Sequence, residues 1–460
     1  MFIPRQYQRL GAYFLARRRG ALLGDEVGLG KTATSILACR LIKARRVLVI
    51  APLRHKEFWC REIIKVERGV ARDPIVTAVE YTECGPRVIV GERIYDIAHY
   101  EQFRDSDKLD KRKRPLPAWQ CEGYLATQYD AVIVDEAHRI KNRKAQRSRW
   151  IKKLKTEHKW ALTGSPIAER PDDLFSLLHW FDRKEFGSYW TFVETYCDID
   201  HFGYHPKILG LRFALDMETG RSSQAPVLRA LAHRVSPYVL VRKREDVGIE
   251  LPPFQVIPVP IVMAQDQADF YKGLKTAVAI DLVETFGDPD VWDLSEGNTL
   301  LIHGAGARYV RLQQAASAPT VFKPGISNAK LDWLEDYVNS GGAPALILAR
   351  FKHTVAVIQA ALDKLGAGDQ GHIVGTYDML SESHNFQHLN TMIAWDVPLS
   401  RLQWEQAQGR IRRPGQEKPQ FYFQLVAEGT VNHRGWLCID KKQTEIDLIL
   451  DWLREIKNDR

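Results

Sequence analysis

Gly28, Gly30, Lys31 and Thr32, within Gly24-Asp25-Glu26-Val27-Gly28-Leu29-Gly30-Lys31-Thr32, are the residues of this chain best suited to hold phosphate. Glycines let backbone N–H groups turn inward around an anion. A lysine reaches the β- and γ-phosphates of a nucleotide, and a threonine hydroxyl can ligate Mg²⁺. The next stretch, Ala33–Leu41, reads as a helix whose N-terminus faces the anion. Asp25 departs from this pattern, which asks for glycine there, and Gly-Lys-Thr alone recurs by chance. A second constellation adds weight. Tyr129–Val134 reads as a buried strand that ends in Asp135-Glu136-Ala137-His138. Carboxylates at the end of a central strand lie beside a phosphate loop. Asp135 would hold Mg²⁺, directly or through water, and Glu136 would position and polarise the attacking water. An Asp-Glu pair by itself is more often a helix cap; with the loop in the same expected domain, ATP and Mg²⁺ become the expected cofactors.

A third constellation, Gln406–Gln416, contains Arg410 and Arg413. Phosphoryl transfer gathers negative charge at the γ-phosphate, and an arginine can meet it in bidentate geometry. Three residues apart, the two arginines would share one helix face and become fingers if two lobes close on ATP. Alone, the stretch would read as a solvated basic helix end.

Such a site needs parallel sheets to position it, and the chain has the elements for them. Val47–Ala51, Ala131–Val134 and Lys159–Thr163 are short runs apolar on both faces and separated by helical stretches, the pattern of a parallel α/β sheet. This predicts a first lobe over 1–182. Aromatic-rich amphipathic segments predict a mostly helical insertion over 183–325, interrupted by an extended linker at 251–262. Pro252, Pro253, Pro258 and Pro260 forbid helix in that linker. The α/β texture returns in a second lobe, 326–460, with strands expected at Ala345–Leu348 and Phe421–Val426 and a helix at Thr354–Leu365.

These motifs, in this order, resemble the SNF2 family of superfamily 2 helicases and translocases. The resemblance implies an α/β fold with two RecA-like parallel-sheet lobes and a mostly helical insertion between them. Pro4-Arg5-Gln6-Tyr7-Gln8 resembles the opening motif, which implies adenine contact by Gln6 or Gln8. The loop resembles motif I, in which an Asp-Glu before the glycines is usual. Ile50–Leu53 resembles motif Ia, Ala98–Glu101 motif Ib, and Asp135–His138 motif II. Leu162–Ile167 resembles motif III, implying that Thr163 and Ser165 couple nucleotide state to the lobes. Val241–Val247 with Leu251-Pro252-Pro253 resembles the family's marker between insertions. Leu346–Phe351 resembles motif IV and Gln406–Gln416 motif VI. Motif V departs: Ser383-His384-Asn385-Phe386-Gln387 keeps Asn and Gln but not the usual Gly and Leu. Gly366–His372 also stands where the family has a further strand and helix, so the second lobe reads as trimmed.

The implied partner is double-stranded or branched DNA, gripped through phosphates without reading sequence. Candidate contacts are Arg54, His99, Tyr100, Lys352, His353, Asn385 and Gln387. The basic run Arg139–Lys159 and the basic cluster Lys108–Arg114, an exposed loop or hairpin, are further candidates. Trp190, Trp292, Trp333, Trp395 and Trp404 could stack bases, although such tryptophans are more often core.

Composition is compatible with this reading. Sixty-five Lys and Arg against 57 Asp and Glu give a net charge of +8 over 460 residues, a length that suggests about two to four domains. Six scattered cysteines without a Cys-x-x-Cys pair argue against a disulfide framework or zinc site. No apolar run suggests a signal peptide or membrane span, so the expected location is cytoplasmic, or nucleoid or nuclear, rather than secreted. The expected activity is that of a DNA-dependent ATPase, a monomeric translocase that remodels forks or junctions or migrates branches. The alternatives are an RNA helicase, because Asp-Glu-Ala-His also occurs there, or a nucleic-acid-binding scaffold with a dead ATPase.

Overall fold

The computed structural model describes residues 2–71, 77–110, 115–164, 171–200, 206–215, 222–286, 299–380 and 386–441. It divides into two compact units, Met1–Glu250 and Leu251–Arg460.

In the first unit the doubly apolar runs become central strands. The sheet holds β1 (Gly20–Leu23), β2 (Arg46–Ala51), β3 (Thr77–Thr82), β4 (Gly85–Val90), β5 (Arg93–His99), β6 (Gln128–Asp135), β7 (Lys155–Leu162) and β8 (Val239–Leu240). Their spatial order is β8-β1-β7-β6-β2-β5-β4-β3. Pairing is parallel from β8 to β5 and antiparallel through β4 and β3. Successive residues of a strand point to opposite faces, and both faces are covered. Leu22, Leu48, Ile50, Val132 and Val134 join one buried cluster. Leu23, Val47, Val49 and Ile133 join another, with Leu15, Ile36, Trp59 and Ile63 from helices. A parallel sheet of this order aligns the carboxyl ends of β1, β7 and β6 along one edge, where a phosphate loop and its acids can meet.

The second unit has five parallel strands: β9 (Phe254–Ile261), β10 (Ala345–Ala349), β11 (Ile373–Thr376), β12 (Thr391–Ala394) and β13 (Gln420–Ala427), in the order β9-β13-β12-β10-β11. The stretch expected as a linker, 251–262, is thus largely an edge strand, paired with β13 along its whole length. Its prolines fit that place. The carbonyls of Pro253 and Ile261 accept bonds from Gln420 and Glu428, so odd-numbered residues face β13. Pro258 and Pro260 lie on the other parity, where a missing N–H breaks no ladder bond and the open edge resists further pairing.

The segment expected as one insertion, 183–325, is shared between the two units: β8 completes the first sheet and β9 opens the second. It holds helices at Tyr189–Tyr196, Ala225–Val235, Gln265–Phe286 and Thr299–Ser317, and also short antiparallel pairs such as Cys197–Asp200 with Lys207–Leu211. The short segment Gly366–His372 leads directly into β11. Asp105–Leu109 and Pro115–Pro117 pair as an antiparallel hairpin; Lys111–Arg114 lie outside the described residues. Among the described residues no helix is long and apolar enough to cross a membrane.

The second unit is pinned by a buried lysine. Lys330 has no exposed surface; its Nζ donates to the Trp395 carbonyl at 2.5 Å and lies 3.5 Å from Asp396 Oδ1. Burial lowers its proton affinity, and Asp396 opposes that effect. Lys330→Ala leaves Asp396 without its cation, so this unit loses about 3–5 kcal/mol in urea unfolding; a loss near zero would show that the pair holds nothing together.

Candidate functional site

The phosphate loop runs from the end of β1 to the helix Lys31–Leu41. Gly28 and Gly30 have φ of 96° and 77°, left-handed values that carry little penalty for glycine. Gly30 is also the N-cap of the helix. A Cβ on Gly30 would lie 2.4 Å from Gln8 Nε2, so the loop closes against that side chain. Gln8 is buried. Its Oε1 accepts from Arg5 N at 3.0 Å and its Nε2 donates to Leu29 O at 3.4 Å. Gln6 is exposed. Of the two glutamines, the structure places Gln8 against the loop.

Lys31 Nζ reaches back across the loop and donates to Asp25 O at 2.7 Å. Burial lowers its proton affinity; Glu136, Asp135, Asp25 and Glu26 oppose the effect. Thr32 follows, half-buried in the first helical turn. Thr163 caps the neighbouring β7: its N–H donates to Leu23 O at 3.2 Å and its side chain is buried. A Cβ on Gly164 would lie 2.9 Å from Val27 Cγ2 and 3.7 Å from Lys31 Nζ, so this turn presses on the loop. Ser165 lies outside the described residues.

Asp135 ends β6 and is buried. Its Oδ2 accepts from Trp59 Nε1 at 2.9 Å and lies 3.4 Å from His55 Nδ1. Its Oδ1 accepts from Glu136 N at 3.0 Å. A carboxylate oxygen has two lone pairs, so Oδ1 keeps room for one more partner. Glu136 adopts φ 51° and ψ 52°. Among the described residues only Lys43 shares a positive φ without being glycine. Such backbone costs on the order of 1–3 kcal/mol and persists where surroundings enforce it. Tyr100 enforces it here: its hydroxyl donates to the carbonyl of Asp135, and to that of Glu136 at 3.3 Å. Glu136 Oε2 sits 3.3 Å from His138 Nδ1. Burial favours the neutral acid, but His138, Lys31 and His55 outweigh it and hold the Glu136 carboxyl below the usual range.

The strand β8 and the turn after it clamp the loop from the far side. Gly24 N and Glu26 N donate to Leu240 O and Arg242 O at 2.7 and 2.9 Å. Arg242 makes a bidentate pair with fully buried Asp25, Nε to Oδ1 at 2.9 Å and Nη2 to Oδ2 at 2.5 Å. Its Nη1 donates to Tyr7 O at 2.7 Å. Arg244 Nη2 lies 3.1 Å from Glu26 Oε1 and donates to Val27 O at 2.9 Å. Asp25 and Glu26 therefore hold the loop in shape; a glycine at Asp25 would have no anchor to offer.

Two expectations need correction. Tyr100 offers no surface to DNA: it is 1% exposed and its hydroxyl serves the Asp135-Glu136 turn. Arg410 and Arg413 do not share one helix face, because the helix Arg401–Ile411 ends before Arg413. Pro414 disfavours helical backbone at the residue before it, and Gly415 with φ 99° completes the turn. Trp395 and Trp404 are core residues, 0% and 4% exposed; Trp190 is exposed, Trp333 packs against the core and Trp292 lies outside the described residues. Of the remaining DNA candidates, Arg54 and Lys352 are exposed, and His99, His353 and Gln387 are half-buried. Asn385 lies outside the described residues. Gln416 joins motifs V and VI: its Nε2 donates to Gln387 O at 3.0 Å and Leu389 O at 2.8 Å.

His55 and Trp59 carry no functional signal in the sequence, because their apolar and aromatic surroundings look like core. Arg242 and Arg244 stand in the marker Val241–Val247, and that marker is the sequence signal for their role.

Comparison with known proteins identifies a family. The SNF2-related domain matches residues 7–299. The CHD3-type chromatin-remodeling factor PICKLE of Arabidopsis thaliana is 22% identical over 519 residues, which cover 97% of this chain and 34% of that protein. Human chromodomain-helicase-DNA-binding protein 7 is 28% identical over 289 residues, covering 59% of this chain and 8% of that protein. The chain thus spans about a third or less of these relatives. A Sulfolobus solfataricus SWI2/SNF2 ATPase core in complex with dsDNA is 19% identical, covers 99% of this chain and 94% of its own, and has a TM-score of 0.42.

Proposed function

The chain belongs to the SNF2-related domain family, and from that premise we propose that it is an ATP-hydrolysing motor that moves along double-stranded DNA and remodels forks or junctions. The observation that carries this reading is the convergence of Lys31, Gly164, Asp135 and Glu136 at adjacent strand ends. The names of the relatives, a chromatin-remodeling factor and a helicase-DNA-binding protein, support action on DNA.

The buried loop and the open lone pair on Asp135 fit a nucleotide with its cation. Thr32 and Asp135 would hold Mg²⁺, which supplies charge neutralisation at the phosphate oxygens. Gln8 contacts the base. Lys31 swings from the Asp25 carbonyl to the β- and γ-phosphates. Glu136 stays ionised and accepts a hydrogen bond from the attacking water, with His138 as its positioning residue. Thr163 and Ser165 relay the nucleotide state. Arg410 and Arg413 supply positive charge to the transferring phosphoryl group. Arg54, His99, Lys352, His353, Asn385 and Gln387 grip DNA phosphates.

Arg413→Ala lowers turnover by about 10³-fold or more with little change in ATP affinity; a normal turnover removes Arg413 from the mechanism. The proposal itself is tested by steady-state ATPase at one salt concentration with no nucleic acid, single strand, duplex, four-way junction and duplex RNA. Stimulation by duplex DNA, and more by the junction, is expected. Stimulation by RNA alone would instead indicate an RNA helicase, and no hydrolysis with any ligand a scaffold.

A further inference from the structure

The first unit carries an open cavity of about 580 Å³, lined in part by the basic run that follows the Asp135-Glu136 turn and in part by Phe175–Tyr189. Its floor is Lys152, whose Nζ donates to Ser176 Oγ at 2.6 Å; that buried hydroxyl donates in turn to Ile140 O at 2.7 Å. Exposed Arg143, Lys144 and Arg183 stand at its rim. Among the described residues no carboxylate lines the cavity. Its other cations are already engaged: Arg149 pairs with Asp105 at 2.8 Å, and Lys153 Nζ lies 4.0 Å over the Trp150 ring. Among the described residues Arg143, Lys144, Lys152 and Arg183 have no ion-pair partner. Arg143 is held in place by its guanidinium, 4.1 Å from the Tyr189 ring centroid.

Like charges repel, and four cations gathered around one cavity with no ion-pair partner among the described residues form an arrangement that an anion would relieve. Lys152 registers the tension: burial first, then Arg183 and Arg143, lower its pKa to about 8. The donors suit phosphate, with two planar arginine forks and a point-charge lysine on a fixed hydroxyl.

We propose that this cavity is a second phosphate site, separate from the nucleotide loop, in which Arg143, Lys152 and Arg183 bind a phosphate group. The group comes either from a DNA backbone or from a free phosphorylated anion. The site stands on its own and does not rest on the motor reading.

The test is titration calorimetry of inorganic pyrophosphate into the full chain carrying Lys31→Ala, which silences the nucleotide loop. The same chain with Arg143→Ser and Arg183→Ser is titrated beside it. Both added changes are on exposed side chains, and circular dichroism checks the fold. The expected result is one bound pyrophosphate, weakened at least about tenfold by the two rim substitutions. Equal affinity in both chains, or no binding to either, would overturn the proposal. Duplex binding at low and at physiological salt then separates the sources. A DNA occupant predicts weaker duplex binding in the rim variant and a log–log salt slope reduced by about two. A free anion predicts loss of pyrophosphate with duplex binding and slope unchanged.

Discussion

Glu136→Gln binds ATP as the wild type does and hydrolyses it about 10²–10⁴-fold more slowly. The substitution keeps size and shape but removes the negative charge that can draw a proton from water. It spares the backbone: the bonds from Tyr100 go to main-chain carbonyls, so the strained turn survives. Single-turnover hydrolysis beside equilibrium ATP binding separates the two effects; turnover near the wild-type rate would remove Glu136 from the chemistry. The pH dependence has a definite sign. The folded carboxyl is held below the ordinary glutamate value by His138, Lys31 and His55 against burial. Its ionised form therefore persists down through the usual glutamate range and is lost only as pH falls through the depressed value. An acid limb in the pH profile of hydrolysis between about pH 5 and 8 belongs to another group.

Asp25→Ala destabilises the first unit by about 3–5 kcal/mol, the cost of leaving a largely buried guanidinium without its carboxylate. Arg242 holds Asp25 through two bonds and Tyr7 O through a third, and no exposed surface of Asp25 lets water replace it. The clamp also fixes the loop on which Lys31 turns, so ATP affinity falls together with stability. Arg242→Ala behaves alike, and the double substitution costs less than the sum, because the two charges are each other's remedy. Urea unfolding of the four proteins measures this; strictly additive losses would mean that the pair contributes no coupling.

How much of this could be read in advance follows from distance along the chain. β2, β6 and β7 announce themselves locally as runs apolar on both faces, and the acids Asp135 and Glu136 are the last residue of β6 and the one after it. The loop is legible for the same reason, since glycines, Lys31 and Thr32 are contiguous. Asp25 looked irregular because its partner lies 217 residues away, and no local pattern reports a contact of that separation. Tyr100 is not resolved by sequence, because a tyrosine in a DNA-facing motif and a tyrosine bracing a buried turn look the same there; burial tells them apart. Proline content correctly excluded helix from 251–262, but edge strand and linker differ only in whether alternate N–H groups find a ladder. At Arg413, Pro414 carried the warning that the helix stops short.

The most direct test of the central claim is displacement of a third strand bound in the major groove of a duplex, placed ahead of an otherwise free DNA tract. A motor that moves along double-stranded DNA strips that strand with ATP, fails with a non-hydrolysable analogue, and fails when it carries Glu136→Gln. A protein that hydrolyses ATP in response to duplex DNA and leaves the third strand in place would contradict translocation.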